Sequence, residues 1–374
     1  MYGIITLNSN LFYNFGCLLQ SYALRKYLND NHIPTEAIFC PSFSLFGVGY
    51  GWIFNHLYIS YGPEQRTIQI VPEEERRKNA QCVKFLKNAT RPRRYICYSK
   101  AVHRDIAKRY RAVIVGSDQV WNPITISCKT ADTYFLSFIP PEKRFSYAAS
   151  IGTNDIPMDK RPMYEKALLA FNKISVREDA GKRIVEELTG RTDVQVLADP
   201  TMLLTTQEWD AVAELPKHKL PERYLLTYFL GEVSDSRRQA IERKAAELDC
   251  ETIWLMDKNS PFYAIGPGHF VYMIKHAQMV CTDSFHGSVF SFLYDQPLAI
   301  FDRKDNVENM SSRLETLASK FELHDCLVQN EDLSEVPMKP DYSKGYQALE
   351  EERKKSKAFL DMVFEETERT GISK

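Results

Sequence analysis

Short apolar runs alternate with amphipathic stretches along most of this chain. Tyr2–Leu7, Ala37–Cys40, Ala112–Val115, Phe145–Ala149, Lys173–Val176 and Val194–Leu197 read as strands bounded by polar or turn residues. Helical spacing predicts helices over Gly16–Asn29 and Asp179–Leu188, and charged helices through Pro72–Arg111. A second set follows the proline-containing stretch 205–222. It has strands at Tyr224–Leu230, Glu251–Leu255, Ala277–Cys281 and Pro297–Phe301, with helices over Ser236–Leu248, Gly268–His276 and the residues after Ser284. Alternation of this kind is the pattern of parallel α/β sheets. It divides the chain into a domain over 1–210, a second over 211–340, and a charged amphipathic helix within 341–374. No internal repeat of solenoid length occurs.

Length agrees with this division, because 374 residues exceed what one hydrophobic core usually organises. The formal net charge of -1 provides no global basic field, which argues against nucleic acid as a partner. A local exception is the cluster Arg91, Arg93, Arg94, Lys100, Arg104, Lys108, Arg109 and Arg111, either a solvated helix face or a contact for an anionic lipid surface or a polyphosphate group. Residues 41–62 are aromatic and glycine-rich without helical or strand period. They read as a surface excursion, a cap over substrate, or a membrane-touching loop. The eight cysteines form no Cys-x-x-Cys pair, and the histidines lack metal-ligand spacing, so no disulfide framework and no metal site is expected. Without a basic-then-apolar leader or a spanning apolar run, the expected location is cytoplasmic, with peripheral contact to the inner face of a membrane as an option.

Candidate chemistry lies in four polar turns that follow apolar strands, because the carboxyl ends of parallel strands are where open α/β sheets bind ligands. The first leads to Asn14 and Gly16 at a helix start, suited to an anion or sugar hydroxyls, or simply to capping by Asn14. The second is Gly116–Pro123. There Asp118 can accept from sugar hydroxyls or act as a base, and Trp121 either stacks on a sugar ring or packs inward. In the third, Arg177 ends a strand, suited to clamping a carboxylate or phosphate. A structural pairing of Arg177 with Glu178 is not expected, since neighbouring residues point apart on a strand. Asp199 follows the next strand and either lines the same site or terminates the strand. The fourth turn, Thr282–Ser288, presents His286 beside Gly287 at a strand-to-helix junction, a place for a proton donor or an anion ligand. No dinucleotide fingerprint, P-loop or Gly-x-Ser-x-Gly elbow is present.

Taken in series, these stretches resemble the polysaccharide pyruvyl transferase family. The matching segments are Asn14–Leu24, Gly116–Asn122, Ser146–Gly152, Ser175–Glu178, Asp199–Thr201, Thr282–Gly287 and Phe301–Lys304, with Asn309 and Arg313. The resemblance implies an α/β fold of two Rossmann-like domains facing a cleft, similar to GT-B glycosyltransferases, with C-terminal helices. It implies transfer of a pyruvyl group from phosphoenolpyruvate to a sugar as a ketal with release of phosphate. The aromatic stretch and the basic cluster point to a sugar of a surface polysaccharide or its lipid-linked oligosaccharide precursor as the acceptor. Phosphoenolpyruvate is the co-substrate, and no metal or other cofactor is implied. His286 and Asp118 take the catalytic places. The donor side falls on Arg177, Ser284, Gly287, Arg303, Lys304 and Arg313, and the acceptor side on Asn14, Gly16, Gln119, Trp121 and Asn122. Many members carry arginine two residues before the His-Gly histidine, whereas this chain has Ser284, so the donor anion would lean on Arg177 and the cations near 303–313. A GT-B glycosyltransferase using a nucleotide sugar and a non-catalytic carbohydrate-binding protein of capsule assembly are the competing readings.

Overall fold

The computed structural model describes residues 1–7, 14–39, 57–61, 66–95, 98–127, 130–303 and 312–371. It divides into two compact units, 1–203 with 352–374 and 204–351. Strands of the first unit are β1 (Tyr2–Ile5), β2 (Thr35–Phe39), β3 (Leu57–Tyr61), β4 (Arg66–Ile70), β5 (Arg93–Arg94), β6 (Val113–Val115), β7 (Arg144–Ser146), β8 (Ser175–Val176) and β9 (Gln195–Val196). The central sheet has the order β5-β2-β1-β6-β7, every pair parallel. Isolated bridges Phe145–Lys173 and Ala149–Val176 continue it toward the parallel pair β8-β9. β1 and β6 are buried throughout, as expected of strands covered on both faces.

The helix Phe15–Asp30 returns the chain from β1 to β2, placing Leu24 and Leu28 in a core with Ile4, Ile114 and Phe145. The C-terminal helix, Ser343–Gly371, is not a separate element. From Glu352 onward it belongs with residues 1–203, because Phe359, Leu360, Val363 and Phe364 fill that same core. Two sequence expectations change here. Within the charged stretch 72–111 the chain makes the helices Glu73–Phe85 and Lys100–Arg109 with the edge strand β5 between them. Two adjacent arginines carry no apolar signal for a strand. Within the aromatic stretch, Leu57–Tyr61 pairs antiparallel with Arg66–Ile70, and residues 41–56 lie outside the described residues.

The second unit holds β10 (Tyr224–Tyr228), β11 (Glu251–Trp254), β12 (Met279–Thr282) and β13 (Leu298–Ile300), in the parallel order β11-β10-β12-β13. Helices Asp235–Glu247, Pro267–His276 and Phe285–Leu293 make the crossovers. In both units the chain winds outward to one side of its first strand and then returns to the other side. The two switch points therefore fall between β1 and β6 and between β10 and β12. Crevices at the carboxyl ends of such strand pairs are where ligands of doubly wound sheets bind.

Candidate functional site

At the switch point of the first unit, the end of β1 and the turn after β6 are bonded directly. Gly116 N donates to Ile5 O at 2.9 Å, and Thr6 Oγ1 donates to Ser117 O at 3.0 Å. Gly116 has φ +116°, and a Cβ there would lie 2.3 Å from the Tyr147 carbonyl oxygen, so only glycine lets β6 turn here. Asp118 follows in the left-handed region, φ 61°, which aspartate tolerates better than most residues. Gln20, on the helix after β1, receives the Ser117 amide on Oε1 and donates to Thr6 Oγ1. The turn is thus held from two sides.

Around it sits a buried group of charges. Arg177 donates to Asp199 Oδ2 at 2.8 Å, reaches Asp118 Oδ1 at 3.5 Å, and lies 4.0 Å from Glu178 Oε2. Cys17 donates its thiol to Asp118 Oδ2 at 2.6 Å, and Ser117 Oγ lies 3.1 Å from Asp199 Oδ2. Burial opposes the Arg177 charge, but Asp199, Asp118 and Glu178 outweigh it and raise its pKa above the ordinary arginine value. Burial, and then the Asp118 carboxylate, push the Cys17 thiol well up, so it remains a hydrogen donor.

This arrangement corrects several expectations. Arg177 does not present an anion clamp. Its side chain is 2% exposed among three carboxylates, and an incoming carboxylate or phosphate would meet their repulsion. The neighbouring Glu178 does approach Arg177, although its Oε1 is spent on Ser150 Oγ and the amides of Ile151 and Gly152. Trp121 is fully buried, donates to Tyr134 O and packs on Phe135 and Phe171, so it offers no face to a sugar. Asn14 Oδ1 caps its helix through Gly16 N at 2.8 Å, and Gly16 is buried. Asn122 is buried and pairs with Gln119 at 2.5 Å while receiving the Ile124 amide, which makes it a turn former. Asp199, which the sequence left between two roles, lines the group. Cys17 and Gln20 were missed, although their i, i+3 spacing just after a polar turn puts both on one helix face.

The second unit carries the other half of the candidate residues. His286 occupies the first turn of the helix Phe285–Leu293 at the β10/β12 switch point and is 5% exposed. Ser284 caps that helix, its Oγ accepting from Gly287 N at 3.3 Å. Asp283 accepts from the amides of Leu230 and Gly231 at 2.7 and 2.8 Å, joining the ends of β12 and β10. Arg303 Nε stands 3.7 Å from Asp283 Oδ2, and Arg313 is buried on the helix Ser312–Lys320. Lys304 and Asn309 lie outside the described residues. Gly287 is closely packed, since a Cβ there would come within 2.6 Å of Thr282 Oγ1. Gly287→Ala is accordingly expected to lose about 1–3 kcal/mol of stability, the usual cost of overpacking, in a urea titration. Unchanged stability would show that Thr282 gives way.

Each unit is an α/β unit built on a parallel sheet with a polar group at its switch point, and neither carries a dinucleotide fingerprint. The chain belongs to the polysaccharide pyruvyl transferase family, whose sequence model matches residues 14–306. It is therefore a transferase acting on polysaccharide or its sugar precursors. No curated protein sequence matches it. Similar solved structures include UDP-GlcNAc 2-epimerase from Methanocaldococcus jannaschii, 13% identical over 94% of this chain and 92% of that one, TM-score 0.42. Another is UDP-N-acetylglucosamine 2-epimerase from Rickettsia bellii, 11% identical over 100% and 98%, TM-score 0.46. An alpha-glucosyltransferase in complex with UDP and DNA is 9% identical over 98% of both chains, TM-score 0.43. Likeness at this level says nothing about activity.

Proposed function

We propose that the chain transfers the pyruvyl group of phosphoenolpyruvate to two hydroxyls of one sugar residue, forming a cyclic ketal and releasing phosphate. The observation that supports this reading best is the His286 turn. An imidazole on the first turn of a helix, at a sheet switch point and in a unit that also carries Arg303 and Arg313, suits an anionic donor that must be protonated. Protonated His286 gives its proton to the methylene carbon of the donor, leaving cationic character at C2. A sugar hydroxyl adds to C2 and loses its proton. The bond from C2 to the phosphate oxygen then breaks, phosphate departs with the electron pair, and the second hydroxyl closes the ketal with loss of its own proton.

Arg303 and Arg313 replace Arg177 as the groups that hold the donor carboxylate and phosphate. Ser284 serves the helix cap where other members place arginine. Asp118 is the proposed acceptor of the hydroxyl proton. Its carboxylate is oriented by the Cys17 thiol and Arg177. The acceptor is a saccharide, with a lipid-linked oligosaccharide as the proposed natural form.

Phosphoenolpyruvate at a hundredfold excess over its Kd is expected to stabilise the chain by about 2.7 kcal/mol, read as a rise in melting temperature. Phosphate release should then require a sugar acceptor as well. Stabilisation by a uridine or guanosine diphosphate sugar, with none by phosphoenolpyruvate and no phosphate released, would replace this reading with glycosyl transfer.

A further inference from the structure

A pocket of about 440 Å³ opens at the carboxyl ends of β10 and β11, across β10 from the β12 side that carries His286. That volume lies within the range of sites for small ligands. Phe229, Val233, Trp254 and Met256 form its apolar wall, Arg238 and Lys258 stand at its exposed rim, and Asp257 is the one acidic residue of the lining, so two cations face one carboxylate there. The Trp254 indole is fixed in place. Its Nε1 donates to Glu242 Oε1 at 2.6 Å, while Thr252 Oγ1 donates to Glu242 Oε2 at 2.8 Å. Arg238, one helical turn before Glu242, lies over the indole with its guanidinium 4.0 Å from the ring centroid. A guanidinium held over an aromatic face keeps N–H donors for a further acceptor, and carboxylate geometry matches its fork. Among the described residues no ion pair joins Arg238 or Lys258 to a carboxylate, although Asp257 lines the same pocket and Glu242 is engaged by Trp254 and Thr252.

We propose that this pocket is a saccharide subsite for a carboxylate-bearing sugar residue of the acceptor chain. The C–H face of the ring lies on the apolar wall, and its carboxylate takes the Arg238 edge with Lys258 as the second cation. Gly231, which lines the pocket, donates its amide to Asp283 Oδ2 of the His286 turn at 2.8 Å, so the subsite adjoins that turn. The lining holds none of His286, Arg303 and Arg313, and the subsite selects the acceptor without taking part in the chemistry. Such a residue is either a uronic acid of the repeat unit or a sugar that already carries a pyruvate ketal. The inference rests on the chain being a sugar-acting transferase, but its test reads binding and not turnover.

The full chain and its Arg238→Gln and Lys258→Gln variants, both changed at exposed positions, are titrated calorimetrically with three probes. The probes are a glucuronic acid-containing disaccharide, its glucose-containing counterpart, and a galactoside bearing a pyruvate ketal. Wild type is expected to bind one or both acidic probes at least tenfold more tightly than the neutral one. Each variant should erase that preference, and which acidic probe binds identifies the source of the carboxylate. Equal binding of acidic and neutral probes, or a preference that survives both substitutions, overturns the proposal. So does selective binding of uridine diphosphate that the same variants abolish, since it would make the pocket a nucleotide site. Phosphoenolpyruvate-dependent phosphate release with a small neutral acceptor, measured in parallel, should be unchanged in both variants. Its absence in wild type would count against the proposed reaction and leave the subsite standing.

Discussion

Arg177→Met should lower the stability of the chain by about 3–5 kcal/mol, the cost of leaving a buried charge without its partner. The methionine keeps most of the side-chain volume, so cavity formation contributes little to that figure. The electrostatics dominate. With the guanidinium gone, Asp199 and Asp118 keep their buried carboxylates but lose the cation that stands 2.8 and 3.5 Å from them. The Asp118 turn after β6 loses its support at the same time, so residual folded protein should also show impaired turnover. Chemical denaturation of the full chain measures the loss, and Arg177→Lys should recover part of it by restoring charge without the guanidinium fork. The opposite pattern would restore the arginine to the donor. Stability would then hold within about 0.5 kcal/mol, a surface-like value, while KM for phosphoenolpyruvate rose.

His286→Gln should reduce kcat by about 10²–10⁴, the range that a positioned general acid supplies. Glutamine approximates the volume of the imidazole and keeps a hydrogen-bonding end but delivers no proton at neutral pH. The fold should persist, because the helix Phe285–Leu293 is capped by Ser284 and packed through Val289, Phe290 and Phe292, none of which changes. Calorimetry with phosphoenolpyruvate separates the two contributions of the residue. Binding within about tenfold of wild type beside a collapsed kcat marks proton donation. A variant that turns over at nearly the wild-type rate would place the acid on another residue.

Much of the fold was legible because parallel strands buried on both faces are written as short apolar runs. β1, β6, β10 and β12 were all located within a residue or two. The edge strand β5 was not, since two adjacent arginines show no apolar run, and what ties Arg93 to β2 beside the backbone ladder is its ion pair with Glu36 at 2.9 Å, a partner far away in sequence. The polar turns were visible for the same reason as the strands, by contrast with the apolar runs that precede them. Their internal geometry was not visible. Nothing local separates an arginine that clamps a ligand from one that neutralises Asp199, twenty-two positions away in sequence. Trp121 shows the same limit, because whether an indole faces solvent depends on Phe135, Phe171 and Tyr134 around it.

Residue order alone therefore determined the α/β class, the two sets of strands, the four turns and the family to which they belong. These follow from periodicity and spacing, which are properties of neighbours along the chain. Tertiary structure decided the work each turn does. It set Arg177 against Asp199 and Arg303 beside Asp283, made Trp121 core, packed Gly287 against Thr282, and joined Cys17 and Gln20 to the Asp118 turn. The physical reason is that charge pairing and burial act through space, over distances of a few ångströms between residues that can be far apart in sequence.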